Sequence, residues 1–122
     1  MKIRIKGNSV RLRLSRSEVA KLDKTGYLEE QTLFIENKFI YALKAIDEGN
    51  ELSVTFANNK ITVLIPKFLI EDWPENNRVG FEAKMKLTEA DSLYLLVEKD
   101  FICVDETTED QSDNYQNPNK TC

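Results

Sequence analysis

From Ile3 to Leu14 the chain alternates: Ile3, Ile5, Val10, Leu12 and Leu14 are apolar, and Arg4, Lys6, Arg11 and Arg13 stand between them. A period of two places successive side chains on opposite faces of a strand. The pattern predicts strands over 2–6 and 9–14, joined at Gly7-Asn8, a pair that tolerates the positive φ of a tight hairpin. Ser15 or Ser17 then caps a short helix over Glu18–Leu22, with Val19 and Leu22 on one face, and Thr25-Gly26 stops it. Strands follow near 27–34 and 38–46, separated by Glu36-Asn37.

The same order then begins again. Leu52–Phe56 and Lys60–Ile65 read as strands around an Asn58-Asn59 turn, and Pro66 fits the first turn of a helix over Phe68–Trp73, ended by Pro74. Strands near 78–86 and 92–99 complete the pattern. At an offset of 51 residues Ile3, Ile5, Val10, Leu12 and Leu14 fall on Val54, Phe56, Ile61, Val63 and Ile65. Asn8 falls on Asn59, Val19 on Ile70, Leu22 on Trp73 and Leu28 on Val79. After a two-residue lengthening, Ile40, Tyr41 and Leu43 meet Leu93, Tyr94 and Leu96. Each half is a ββαββ unit too small to bury its apolar face alone. The expected fold is therefore mainly β with two short helices, in which duplicated units close into one antiparallel, barrel-like pseudo-dimer. Repeat 1 covers about 2–47 and repeat 2 about 52–100 of a single domain at 1–100, and 101–122 forms an acidic extended or disordered tail.

Charge is distributed unevenly along the 122 residues, whose formal net charge is −4. Residues 1–24 hold eight Lys or Arg against Glu18 and Asp23. Residues 100–122 hold six acids against Lys120. Alternation sends Arg4, Lys6, Arg11 and Arg13 to the face opposite the apolar set. Three readings of that ribbon stay open: a contact to nucleic-acid backbone or groove, a solvated face whose charge discourages edge pairing, and a dock for an acidic protein segment. That segment can be the chain's own tail, with Asp105, Glu106, Glu109, Asp110 and Asp113 and, as its one large apolar group, Tyr115. The low hydrophobicity of this stretch predicts an extended strap or disorder.

Histidine is absent, which removes the commonest general base and metal ligand and excludes Ser-His-Asp and Cys-His catalysis. Neither a GxxxxGK[ST] loop nor a GxGxxG turn occurs. The acids DETTEDQSD lack the glycine and terminal Glu of a calcium loop. No cofactor or metal is expected, and a carboxylate-based enzyme is the remote alternative. Cys103 and Cys122 suggest no disulfide framework; Cys103 reads as a partly buried apolar residue, and Cys122 has no assignable chemistry. No apolar run reaches the ~18 residues of a membrane span, and MKIRIKGN is too polar for a secretory leader. A cytoplasmic protein is the expectation.

GNSVRLRLSRSEVAKL (Gly7–Leu22) resembles the swapped-hairpin family of bacterial regulators, the AbrB and MazE type, with its Gly-Asn-Ser turn, alternating strand and short helix ending in Leu. NNKITVLIPKFLIEDW (Asn58–Trp73) follows the same scheme through Ile65-Pro66-Lys67. The resemblance covers residues 2–99. It implies interleaved hairpins, DNA binding by the basic hairpin with Arg4 and Arg13 as contacts and Asn8 shaping the turn, and an acidic extension that wraps a toxin. Departures are Ile5 in place of a second basic residue, Lys6 in place of an aromatic, and Ser15 in place of Pro. Thr55 and Leu64 occupy the places of Arg4 and Arg13 in the second half, so only one half is basic. The whole chain also resembles a group of small bacterial proteins of unknown function. The expected role is a non-catalytic interaction module, a transcription-regulator or antitoxin-like protein binding DNA weakly or a protein partner, through Arg4, Lys6, Asn8, Arg11 and Arg13 and through the tail. The alternative is a protein-binding scaffold that has lost DNA binding. A chain that already contains both units is expected to be a monomer.

Overall fold

A computed structural model of the chain describes residues 1–101 and 111–116. Eight strands and two short helices follow in the order β1 (Lys2–Ile5), β2 (Ser9–Leu14), α1 (Arg16–Thr25), β3 (Tyr27–Leu33), β4 (Lys38–Ile46), β5 (Ser53–Ala57), β6 (Lys60–Pro66), α2 (Lys67–Ile70), β7 (Gly80–Lys86) and β8 (Ser92–Lys99). A single 3₁₀ turn at Trp73–Glu75 follows α2.

The strands form two four-stranded sheets, ordered β1-β2-β8-β7 and β3-β4-β6-β5. The chain lays β1–β2 in the first sheet, crosses through α1 to build the whole of the second, and returns through α2 to finish the first. Hairpin neighbours are antiparallel, but the central pairs β2–β8 and β4–β6 are parallel. The expected closed antiparallel barrel is therefore corrected to two open sheets. Among the described residues each sheet ends on edge strands, β1 and β7 in one and β3 and β5 in the other. These edges carry charge, Lys2 and Arg4 on β1, Lys84 and Lys86 on β7, Glu29 and Glu30 on β3, a feature that discourages pairing with strands of other molecules.

The alternation read along β2 and β6 is realised in the core. Val10, Leu12 and Leu14 are buried, as are Ile61, Val63 and Ile65. They join Val19 and Leu22 of α1, Leu43 of β4, Phe81 of β7, Leu95 and Val97 of β8, and Trp73 in one contiguous apolar cluster. Each fully buried large side chain contributes about 1.5–3 kcal/mol. Trp73 is fully covered, lies edge-on to Phe81 and donates from Nε1 to the Arg78 carbonyl at 2.8 Å.

Local chemistry fixes the element ends. Helix α1 starts at Arg16, two residues before the predicted start, with the Ser15 N–H donating to the Glu18 carboxylate at 2.9 Å. Burial alone would push the Glu18 carboxyl up; bonds from the chain's amino group and the Ser15 N–H outweigh it and hold it below its usual range. Gly26, at φ +77°, closes the helix by donating to the Leu22 carbonyl at 2.8 Å, a left-handed cap that suits glycine. The single helix expected over Phe68–Trp73 is instead divided into α2 and the 3₁₀ turn. Pro74 lacks an N–H and disfavours helical backbone at the residue before it.

Candidate functional site

The first sheet turns one face to the core and the other outward. On the outer face the registers of β1 with β2, β2 with β8, and β7 with β8 set side chains in rows across all four strands. One row reads Lys2, Arg13, Glu98, Gly80; the next reads Arg4, Arg11, Leu96, Glu82; the third has Ser9, Tyr94 and Lys84. Lys2 is directly opposite Arg13, and Arg4 is directly opposite Arg11. Like charges facing each other across a strand pair cost stability, so the fold tolerates two such pairs side by side on one hairpin.

These cations are not equally engaged. Arg13 Nε donates to Glu98 Oε1 at 2.8 Å, and Lys2 Nζ lies 2.7 Å from Asp100 Oδ2. Arg4, Lys6 and Arg11 enter no ion pair with the described residues. Lys2, Ile3, Arg4, Arg11 and Arg13 line a shallow hollow of about 150 Å³. The hollow is rimmed by guanidinium and ammonium groups, and a guanidinium offers a planar fork of donors that matches phosphate and carboxylate oxygens.

The turn holds this hairpin in place. Gly7 supplies the positive φ, +53°, while Lys6 and Ser9 bond across the turn, the Lys6 N–H to the Ser9 carbonyl at 3.3 Å and Ser9 Oγ to the Lys6 carbonyl at 2.7 Å. Asn8, also in the expected binding set, has a part in the fold. Its Nδ2 donates to the Ser92 carbonyl at 2.7 Å, and its own carbonyl accepts from the Tyr94 N–H at 3.0 Å. Asn8 thereby ties the β1–β2 turn to β8.

Of the expected partner residues of the tail, Asp113 and Tyr115 are among the described residues. Asp105, Glu106, Glu109 and Asp110 lie outside the described residues, as do Cys103 and Cys122. Asp113 and Tyr115 dock on α1 and the end of β8. The Asp113 carboxylate accepts from Ser17 Oγ at 2.5 Å and from the Ser17 N–H at 3.3 Å, and its carbonyl accepts from the Arg16 N–H at 2.9 Å. These are the first N–H groups of the helix, which a carboxylate satisfies well. The bonds from the Ser17 and Ser15 side chains hold the Asp113 carboxyl below its usual range. The Tyr115 N–H donates to the Asp100 carbonyl at 2.8 Å, and its ring lies against Phe101, Arg16 and Lys99. Residues 111–116 thus lie docked on α1 and the end of β8.

Lys99 went unnoticed in the sequence. It is 4% exposed, donates from Nζ to the Asn76 carbonyl at 2.7 Å, and lies 5.7 Å from the centre of the Trp73 ring and 4.8 Å from that of Tyr115. Burial pushes its ammonium pKa down. Tyr94, Glu82 and Glu98 were also overlooked on the outer face. Their parity along β7 and β8 was readable, but the parallel register that sets β8 beside β2 was not.

Among the described residues no helix is long and apolar enough to cross a membrane, and no three acidic or cysteine side chains gather as a metal site. A family model, that of the Family of unknown function (DUF7009), matches residues 1–119. The chain belongs to that family. No curated protein and no solved structure matches it. The match spans both sheets of this DUF7009 chain and the strap at 111–116, so the basic hairpin and the strap belong to one family unit.

Proposed function

We propose that this DUF7009 chain is a non-catalytic interaction module whose β1–β2 face grips nucleic-acid phosphates, a transcription-regulator or antitoxin-like role. One observation carries the reading. Arg4 and Arg11 face each other over a hollow, between Lys2, Arg13 and Lys6, without an acidic partner among the described residues. A charge arrangement that weakens the hairpin is expected where a polyanion supplies the missing counter-charge.

Two further features support the AbrB and MazE likeness and the internal duplication behind it. The hairpins are interleaved: the first hairpin of one half shares a sheet with the second hairpin of the other, in both sheets. Equivalent bonds recur too. The Tyr94 N–H donates to the Asn8 carbonyl and the Ile40 N–H to the Asn59 carbonyl, while the Lys99 N–H donates to Val79 and the Ala45 N–H to Gly26. Leu12 pairs with Val97 and Val63 with Leu43. In this scheme Leu43 answers to Val97, so the lengthening before the last strand is three residues, one more than the spacing of apolar positions implied. Ser53, Thr55, Thr62 and Leu64 stand in the second sheet where the first has Lys2, Arg4, Arg11 and Arg13 within its two rows. The module is consequently one-sided, and a monomer has a single cationic face.

The test is a salt titration of the full chain against an oligonucleotide or heparin. With three to four phosphate contacts, log K should fall against log salt with a slope of about −2 to −4. The double variant Arg4→Ala/Arg11→Ala should lose retention at ~50 mM salt. A wild-type chain that fails to bind any polyanion at that salt removes the proposal. A second reading rests on β1 being a sheet edge beside these cations: an acidic protein strand could add to that edge by backbone pairing. It predicts binding of an acidic peptide that an oligonucleotide does not displace.

A further inference from the structure

The outer face carries one aromatic side chain beside the cations, and its place bears on which nucleic acid fits. Tyr94 is in register with Ser9 on β2, and Arg11 is the next outward residue along that strand. Neighbouring strands lie about 5 Å apart, so the cations of β2 are one strand from Tyr94 and those of β1 about 10 Å away. The Tyr94 hydroxyl donates to Glu82 Oε2 on β7 at 2.6 Å. That bond joins the Tyr94 side chain of β8 to β7 across the outer face. Leu96 adds an apolar surface between Arg11 and Glu82 in the adjoining row.

Resting on the proposed phosphate-binding role of the same face, we infer that its ligand is single-stranded nucleic acid, with a base stacked on Tyr94 and flanking phosphates held by Arg4, Arg11 and Lys6. Stacking on an aromatic ring needs an unpaired base whose π-face is free. A duplex keeps that face inside its own stack. Laid across the sheet, a duplex would also bring its second row of phosphates over β7 and β8, where Glu82 and Glu98 stand with Lys84 and the charge is mixed rather than uniformly positive. The hairpin that carries Arg4 and Arg11 is two strands wide, the width of one phosphodiester strand with its bases turned toward β8.

The experiment compares three probes on the full chain at ~50 mM salt: a twelve-nucleotide oligo(dT), a duplex of the same length, and inorganic polyphosphate of matched charge. The expected result is that the single strand binds about ten-fold tighter than the duplex. Tyr94→Leu weakens single-strand binding by about ten-fold, leaves polyphosphate binding within two-fold, and Tyr94→Phe keeps the wild-type affinity. Retained polyphosphate binding also shows that the Tyr94→Leu chain is folded. If that variant does not fold, photocrosslinking of bromouracil-substituted oligonucleotide to wild-type chain decides the matter: attachment at Tyr94 is expected, and attachment only elsewhere overturns the inference. Equal binding of duplex and single strand, or an unaltered Tyr94→Leu, overturns it while leaving phosphate binding by the face intact. Failure of all three probes removes both.

Discussion

Replacing Arg4 by glutamate should make the protein more stable while abolishing its attraction for polyanions. Arg4 is directly opposite Arg11 in the β1–β2 hairpin, with Lys2 two positions away on the same outer face of β1 and Lys6 just beyond the strand's end. Opposed like charges on neighbouring strands cost roughly 0.2–1 kcal/mol, and opposite charges gain a similar amount. Coulomb's law in water gives the same order, about 0.7 kcal/mol at ~6 Å. Reversing the sign at residue 4 therefore shifts stability by about 0.5–1.5 kcal/mol, discounted for the exposure of Arg4. That corresponds to a rise in Tm of about 2–6 °C. Glutamate itself suits a strand poorly, so the control is Thr55→Glu. Thr55 sits on β5 of the second sheet opposite an uncharged residue, Thr62. Thermal unfolding of wild type, Arg4→Glu and Thr55→Glu is measured at ~20 mM and at 1 M salt. The gain of Arg4→Glu over Thr55→Glu should be clear at low salt and nearly vanish at 1 M, where the screening length is about 3 Å. A variant that is no more stable than its control at low salt, or whose gain survives 1 M salt, refutes the reasoning. Hollow and hairpin would then owe nothing to unbalanced charge.

Other outcomes follow from the packing of the two sheets. Gly80→Ala should unfold the chain or cost more than ~2 kcal/mol in urea denaturation, because the new methyl would fall on the Val97 carbonyl oxygen and within 2.8 Å of the Glu98 Cα. Leu12→Ala, at a position with no exposure, should cost about 3–5 kcal/mol, whereas Leu33→Ala on a 72% exposed side chain should stay within ~0.5 kcal/mol. Asp113→Ala should cost about 0.5–1 kcal/mol near neutral pH through loss of the helix cap. Because folding holds the Asp113 carboxyl below its usual 3.8, its contribution is present above that value and lost as pH falls through the folded-state pKa. The difference between wild type and variant should therefore shrink in denaturant titrations taken from pH 6 toward pH 2.

Much of the fold was readable where one face is apolar and the other is not. Arg11 and Arg13 between Val10, Leu12 and Leu14 gave both the strand and its inward face, and Gly26 marked the end of α1. Closure was not readable. Alternation fixes which side of a strand is buried, but not whether the free backbone of β1 or β3 meets another strand. The parallel join of β2 to β8 likewise depends on contacts between residues far apart in sequence. The cations of the site were visible from their parity. Glu98, Asp100 and Tyr94 were not, since only that long-range register brings them beside the hairpin. Composition left open how 111–116 would lie: this polar, acidic stretch docks because Asp113 meets the open end of α1 and Tyr115 meets Arg16 and Lys99.

The passage of the backbone from one sheet to the other and back has a consequence for synthesis. Strands β3 to β6 are contiguous in sequence, so the second sheet has all its strands once residue 66 has been made. The first sheet begins at residue 2 yet lacks its central neighbour until β8 ends at residue 99. Throughout that interval the earliest hairpin on the ribosome has no partner strand for β2, and Val10, Leu12 and Leu14 are without half of their eventual cover. Contacts spanning most of the chain form slowly, and an uncovered hairpin is open to wrong partners while it waits. A chain halted short of β8 is thus expected to be a substrate for chaperones or proteases, and its cationic outer face would help keep such a fragment dispersed.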